Sequence, residues 1–591
     1  MIAAAPAVSQ TIKHLQAGGN FEAAVETLQP GDTLIVHAGT YLDTGRISIG
    51  VKGTANAPVL IKAADGEARP VISRPTGAAV QNTINIEGAT HLTIRGLEIT
   101  GNGGDGINMS GTPADITLED LEIHDVDVGI NFRSSMERIT VRRNHIHRTG
   151  IGGGTGEGMY VGCNDATCAV SHSIIEGNWI HDALPGTTQG DGIEIKVGSH
   201  SNIIRGNVIY NMPYPGIFVY GTNSTAINVV EENVIWNCYE GIYAVADAIV
   251  RNNIVLDSGT GLSLYGHAQV AQMKNVTAIN NTLYNNTDGV YVRWGGTNMV
   301  LANNAIYSPG KTAINSASSL SGIIAANYIE GGSTIPVDSA RFFAGGSAAN
   351  VFVNLATRDF WPRAGSILIG RATTNLAAPL DFNQSVRVTQ FDVGAYETDG
   401  KAANPGWKII AGFKSPSGGS PGGGDTVAPT VTFLAPSNGA TIAGTVNLSV
   451  SASDAVGVVG VQFKIGGANV GPEDTIAPHS AGWDTTTVAN GSYVLTATAR
   501  DATGNSASSS ITVVVANGGT PPPAGGGGGA GGGGGTATTN SGSGGGGGCA
   551  LSGAAPFDPG LIAQLLIAAT VLGMRQRRRR NAHRAHGNRT P

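Results

Sequence analysis

This sequence is poor in charge. Asp, Glu, Lys and Arg make up 13% of the chain, about half the share usual in soluble domains. The distribution is uneven. From Gly548 onward there are seven arginines and one acid, Asp558, which leaves −13 on the rest of a chain whose formal net charge is −7. An acidic body excludes nucleic acid as the general partner. Four cysteines in 591 residues exclude a disulfide-dense scaffold. Helical periodicity is nearly missing as well, apart from "NFEAAVETL" near the start, so an all-β chain is expected.

Glycine is abundant instead, at 88 residues, about double ordinary usage. Some of it forms pure linker near the C-terminus. The rest punctuates a repeat that begins at about residue 82: a small or acidic residue, Gly, an aliphatic, a variable residue, another aliphatic. The runs are "DGINMS" (105), "VGINFR" (128), "EGMYVG" (157), "DGIEIK" (191), "PGIFVY" (215), "EGIYAV" (240), "TGLSLY" (260) and "DGVYVR" (288). Each is followed by a turn and a second short strand, often ending in Asn, as in "RRN", "EGN", "RGN" and "EEN". Spacings of roughly 20 to 34 residues suit one coil of a solenoid. An Asn at the same corner of every coil can stack on and hydrogen-bond to the next.

Aligning the glycines predicts which side chains share a face. Ile193 and Ile195, Ile217 and Val219, and Ile242 and Ala244 should point inward, because strand side chains alternate. The outward set then forms a strip: Asn131 and Arg133; Glu157 and Tyr160; Asp191, Glu194 and Lys196; Phe218 and Tyr220; Glu240 and Tyr243; Ser263 and Tyr265; Asp288, Tyr291 and Arg293. Any one of these could be polar or aromatic simply because it lies on an exposed face. As a set, solvent-facing Tyr160, Phe218, Tyr220, Tyr243, Tyr265 and Tyr291 predict a binding surface. Flat rings suit sugar faces, so an extended acidic polysaccharide is the expected partner, with Arg133 or Arg293 clamping its carboxylates.

Lys196 beside two acids is either an ordinary surface ion pair or a base that removes the proton α to a uronate carboxylate. Lysine is protonated at neutral pH, so the second role needs positive charge nearby. Glu157, Asp191 and Glu194 are the expected ligands of a Ca²⁺ ion that would supply it. β-Elimination and C5 epimerisation share this proton abstraction. Hydrolysis by paired carboxylates such as Asp191 and Glu194, and plain glycan binding without catalysis, are the other readings of the same strip. His200, Tyr214 and His172 are further candidates for the base, whereas His145, His147 and His181, near coil corners, read as structural or loop residues. Cys163 and Cys168, in "CNDATC", are close enough to pair in an oxidising compartment, while no histidine pair lies near to complete a metal site. Cys238 reads as a buried small hydrophobe.

Residues 20 to 398 resemble the right-handed parallel β-helix superfamily. The opening "FEAAVETLQPGDTLIVHAGTY" is similar to the capping helix and first strand of its polysaccharide-acting members, and "FDVGAYE" at 391–397 to a frequent terminal motif. "GIEIKVGS" resembles the acid-and-lysine region of chondroitinase B and alginate lyases, which implies lyase chemistry. In that family the lysine falls further along, near Gly198 or Ser199, and an acid stands where this chain has Gly192.

The domains expected from the sequence are a remnant of a signal region at 1–19, the β-helix at 20–400, a linker at 401–425 and a module at 426–516 that resembles a bacterial immunoglobulin-like domain. A Gly-rich segment at 517–548 and a tail at 549–591 follow. "AAAPA" is similar to the end of a signal peptide, so an upstream start codon is expected. The apolar run 561–574, with arginines 577–580 behind it, reads as a transmembrane stop. The tail resembles the JDVT-CTERM sorting signals. That resemblance implies an inner-membrane sorting protease as partner, cleavage near Cys549, and an exported, surface-attached protein of a Gram-negative bacterium. The solenoid is expected to act as a monomer.

Overall fold

The computed structural model describes residues 11–398 and 428–517, apart from short stretches at 76, 78, 224–225, 271, 294–295, 317–321, 340, 347, 389, 454–457, 472, 475–478 and 502–505. The linker, most of the Gly-rich segment, Cys549, the 561–574 run and the first ten residues lie outside the described residues. Among the described residues no helix is long and apolar enough to cross a membrane.

Parallel strands stack coil upon coil from the N-terminus. The helix Phe21–Glu26 caps the first coils: Asn20 Oδ1 accepts from the Ala23 N–H, and Phe21 and Val25 are buried. Each later coil has three strands rather than the two read from the sequence. In the coil around Lys196 these are Ile193–Ile195, Ile203–Arg205 and Val208–Tyr210. The third is only three residues long, too short for alternation to reveal it, and it follows the second after a two-residue corner. The solenoid also begins earlier than expected. Ile12–Leu15, assigned from the sequence to a signal remnant, pairs in parallel with Thr33–Val36.

The corner between second and third strands shows how sequence sets shape. One residue there takes a left-handed conformation (Arg143, Gly177, Gly206, Glu232, Asn252, Asn280 and Asn303, φ between 52° and 61°) and turns the chain. The next residue is the repeated Asn. Asn144, Asn178, Asn207, Asn233, Asn253, Asn281, Asn304 and Asn327 form a buried ladder, each side-chain oxygen from Asn178 onward accepting from the side-chain amide of the Asn one coil earlier at 2.9 Å. The ladder foreseen in the sequence is therefore present. Asn233 also donates to the Ile204 carbonyl at 2.9 Å and accepts from the Asn207 backbone N–H at 2.9 Å. Asn233→Leu strands these buried groups, each costing about 1–3 kcal/mol. The variant should lose about 3 kcal/mol or more in urea unfolding. A loss below about 1 kcal/mol would show that the ladder is decorative.

The predicted inward residues form the core: Ile193, Ile195, Ile217, Val219, Ile242 and Ala244 are fully buried. The glycine that starts each rung is set by packing. A Cβ on Gly192 would lie 2.4 Å from the Gly216 carbonyl oxygen and 2.6 Å from Ile209 Cγ2. The segment 351–396 lies over the outward side chains of the third-strand sheet, burying Tyr210, Trp236, Leu256 and Tyr307 with Phe352, Phe360, Trp361 and Tyr396.

The described residues between 430 and 515 form a β-sandwich. A sheet of Thr430–Ala435, Thr445–Ser453 and Ser480–Asp484 accompanies one built on Val458–Ile465, Gly491–Asp501 and Ser506–Val515. Leu448, Val450, Phe463, Trp483 and Leu495 fill its core.

Candidate metal and catalytic site

Strand register places the strip as the glycine alignment predicts. Asn131, Tyr160, Glu194, Phe218, Tyr243, Ser263 and Tyr291 are successive neighbours across the parallel sheet. Arg133 and Arg293 lie exposed toward its two ends. Their guanidinium carbons sit 5.9 Å from the Tyr160 ring centroid and 4.4 Å from that of Tyr291.

The exposure of the aromatics is corrected. Phe218, Tyr220 and Tyr243 are buried, and Tyr160, Tyr265 and Tyr291 are half-buried. Phe218 stacks between Tyr220 and Tyr243 at 4.1 and 4.3 Å, and Tyr243 stacks on Tyr265 at 4.2 Å. The chain after Thr260–Leu264 folds back over them. The His267 ring meets Tyr220 edge-on at 4.8 Å, and the Tyr243 hydroxyl donates to the Gly266 carbonyl at 3.1 Å. Alternation identifies the face of a sheet but not what lies over it. His267 was missed for that reason, although the 28-residue step from Thr260 to Asp288, after a 20-residue step from Glu240, marks the extra loop.

Glu157, Asp191 and Glu194 converge. One carboxylate oxygen from each lies within 4.8 Å of the others. All three residues are enclosed, at 0%, 3% and 2% exposure. Their hydrogen bonding is incomplete: both Glu157 oxygens, Asp191 Oδ1 and Glu194 Oε2 are buried without a partner, as is the nearby Asn131 Oδ1. Burial, with the Glu194 charge, pushes Glu157 up to about 7 and holds Asp191 well above the usual carboxylate range. Asp105, in the same register position of "DGINMS", accepts from Asn131 at 2.9 Å and is also raised by burial. The glycine alignment contained it, yet it was not singled out.

Lys196 is 2% exposed. Its amine donates to Glu194 Oε1, which also accepts from the Tyr220 hydroxyl at 3.1 Å. The rings of Tyr160 and Tyr220 lie 4.5 and 5.1 Å from the nitrogen. Both phenols keep their protons because burial raises them further. They can donate a proton but not readily take one. Burial first, and the Lys196 charge second, lower His267, so its ring is neutral at neutral pH.

His200 is not brought to this cluster. Past the next corner, it pairs with Ser171, its ring lies 3.2 Å from the Ser201 hydroxyl, and it meets exposed His172 edge-on. Tyr214 is half-buried. Cys163 and Cys168 are joined in a disulfide, with Cα atoms 5.2 Å apart. Cys238 is buried, its thiol pushed up to about 12.

An acid raised in the folded state makes stability fall as pH rises from its unfolded value through its folded one. For Glu157 that window runs from 4.5 to about 7. Histidines such as half-buried His145, lowered to about 3 chiefly by desolvation, slope the other way. The test is therefore a difference. In chelator, Glu157→Gln should differ least from the wild type near pH 4 and exceed it by up to about 3 kcal/mol more at pH 8. A gap that does not change with pH would contradict the assignment.

Residues 65–228, 153–275 and 224–305 match the family described as right handed beta helix region, and residues 429–497 that described as bacterial Ig domain. No curated protein matches the chain in sequence. Among solved structures it is similar to an alginate lyase from Paenibacillus sp. str. FPU-7, at 21% identity and a TM-score of 0.38 over 51% of this chain and 99% of that one. It is also similar to the pectate lyase Pel9A, at 19% and 0.43 over 66% and 97%, and to a mannuronic acid specific family 6 lyase from human gut microbiota, at 14% and 0.41 over 57% and 92%. The chain carries a right-handed parallel β-helix followed by a bacterial immunoglobulin-like domain.

Proposed function

We propose that the β-helix cleaves an extended acidic polysaccharide by β-elimination at the Glu157–Asp191–Glu194–Lys196 site, with Ca²⁺ as cofactor. The observation that carries this reading is the set of four partnerless buried carboxylate oxygens beside one enclosed lysine. Buried charge without compensation is costly, and hard oxygen donors suit a hard cation. Glu157, Asp191 and Glu194 would hold the ion. A bound Ca²⁺ supplies positive charge that stabilises the enolate of a uronate and offsets the three acids.

The chain's own residues do the rest. Lys196 takes the C5 proton; the electrons form a C4–C5 double bond; the C4–oxygen bond breaks, and the leaving oxygen takes a proton from a phenol such as Tyr160. Arg133 and Arg293 bind carboxylates of neighbouring sugars. The amine can meet a sugar only when the Tyr160 side of its enclosure opens, and Tyr160 is its partly exposed wall. Buried Phe218, Tyr220 and Tyr243 do not favour a purely glycan-binding face. The further proposal, from the tail's resemblance, is that the protein is exported and surface-attached.

Mass spectrometry of the products separates lyase from hydrolase. Elimination gives oligosaccharides one water lighter at the new non-reducing end. Products of hydrolytic mass from alginate, pectate and glycosaminoglycans would replace this reading with hydrolysis.

A further inference from the structure

A second cluster lies on the third-strand sheet, away from the acids. The strands Glu122–His124, His145–His147 and Trp179–His181 pair in register, so Glu122, His145 and Trp179 are neighbours, as are His124, His147 and His181. Period-two alternation turns all six outward, while Ile123, Ile146 and Ile180 between them are buried. The rings stack: His145 lies 4.2 Å from His147 and 4.1 Å from Trp179, and His181 lies 4.6 Å from Tyr210. Stacking alone is a packing device. The hydrogen bonding shows more.

His181 Nδ1 lies 2.8 Å from Asp182 Oδ2, so it carries the proton and donates it. In a neutral ring that leaves His181 Nε2 as an acceptor. It lies 2.8 Å from His145 Nε2, which must therefore be the donor. His145 Nδ1 is then a bare lone pair, and it faces Glu122 Oε1 at 3.7 Å. His147 Nε2 is buried without a hydrogen bond, and the same carboxylate oxygen is 3.5 Å away. One ligand atom from each of Glu122, His145 and His147 thus lies within 4.8 Å of the others, and His147 Nε2 joins as a lone-pair donor once its proton sits on Nδ1. Ligands bound tetrahedrally at about 2.0–2.1 Å stand about 3.3 Å apart, close to the 3.7 and 3.5 Å between the two nitrogens and Glu122 Oε1.

We propose that Glu122, His145 and His147 form a second metal site, for a borderline transition ion such as Zn²⁺. His181 and Asp182 are positioning residues, fixing the tautomer of His145 from behind. Two imidazoles and one carboxylate favour such an ion over Ca²⁺, whereas the all-carboxylate cluster does the opposite. All three ligand residues are half-buried, while the His147 Nε2 atom itself is enclosed.

The test is calorimetric titration of ZnCl₂ into the full-length, chelator-stripped protein, with excess CaCl₂ present to occupy the acid cluster. One equivalent should bind at micromolar concentration or tighter. His147→Ala and Glu122→Gln should each weaken it at least 100-fold, and His181→Phe, which keeps the ring stack, at least tenfold. His147→Gln is the control for folding: its zinc-free melting temperature should match the wild type while the zinc-induced rise disappears. Absence of binding, or binding unchanged by both His147→Ala and Glu122→Gln, overturns the site.

Discussion

Asp191→Asn should reverse its effect on stability when calcium is added. In chelator the variant should melt above the wild type, because one of three crowded, buried carboxylates is replaced by a neutral group of the same shape. In millimolar Ca²⁺ the order should invert. The wild type gains about 2.7 kcal/mol at a hundred times its dissociation constant, and the variant gains little because the site has lost a charged ligand. Cleavage by the variant should fall at least 100-fold. A purely structural acid predicts no such crossing: its removal would shift the melting temperature alike with and without calcium. Paired thermal melts decide between them.

Lys196→Met should separate folding from chemistry. Removing the amine leaves Glu194 Oε1 with the Tyr220 hydroxyl alone, in a site that already holds two other carboxylates. Breaking a buried ion pair by removing one partner costs about 3–5 kcal/mol. The chelated variant should therefore melt well below the wild type. Calcium should recover most of that loss, since the ion can take over the charge of Glu194. Turnover should remain down by about 10²–10⁴-fold even in saturating calcium, the usual range for a lost general base. Recovery of activity along with stability would make Lys196 a structural counter-ion and move the base to another residue, neutral His267 first.

Both predictions rest on residues whose shared face was legible in the sequence. Counting from the glycine of "DGIEIK" placed Glu194 beside Tyr160 and Phe218, and the strand register agrees. It worked because each Gly is held in line by a neighbouring coil that a Cβ would strike. The Asn ladder was legible for a similar reason, since one residue type recurs at one corner. The cover of the strip was not legible. His267 reaches Tyr220 across 47 residues through a loop with no repeat of its own. The third strand of each coil was also lost. "HIH" and "WIH" each offer only three residues, yet they place His145, His147 and His181 on one outward face rather than at unrelated corners. A three-residue strand is recognisable only once the coil period is known, and the paired register then supplies the neighbours that the sequence leaves apart.

The central claim is that the acid cluster and Lys196 together perform calcium-dependent elimination. Its most direct measurement is the ultraviolet absorbance of unsaturated uronate while the full-length protein is mixed with alginate, pectate or a glycosaminoglycan, first in calcium and then in chelator. The account predicts absorbance that grows on at least one of these polymers, stops on chelation and resumes when calcium is restored. A flat trace on every polymer in calcium, or growth indifferent to chelator, would contradict it.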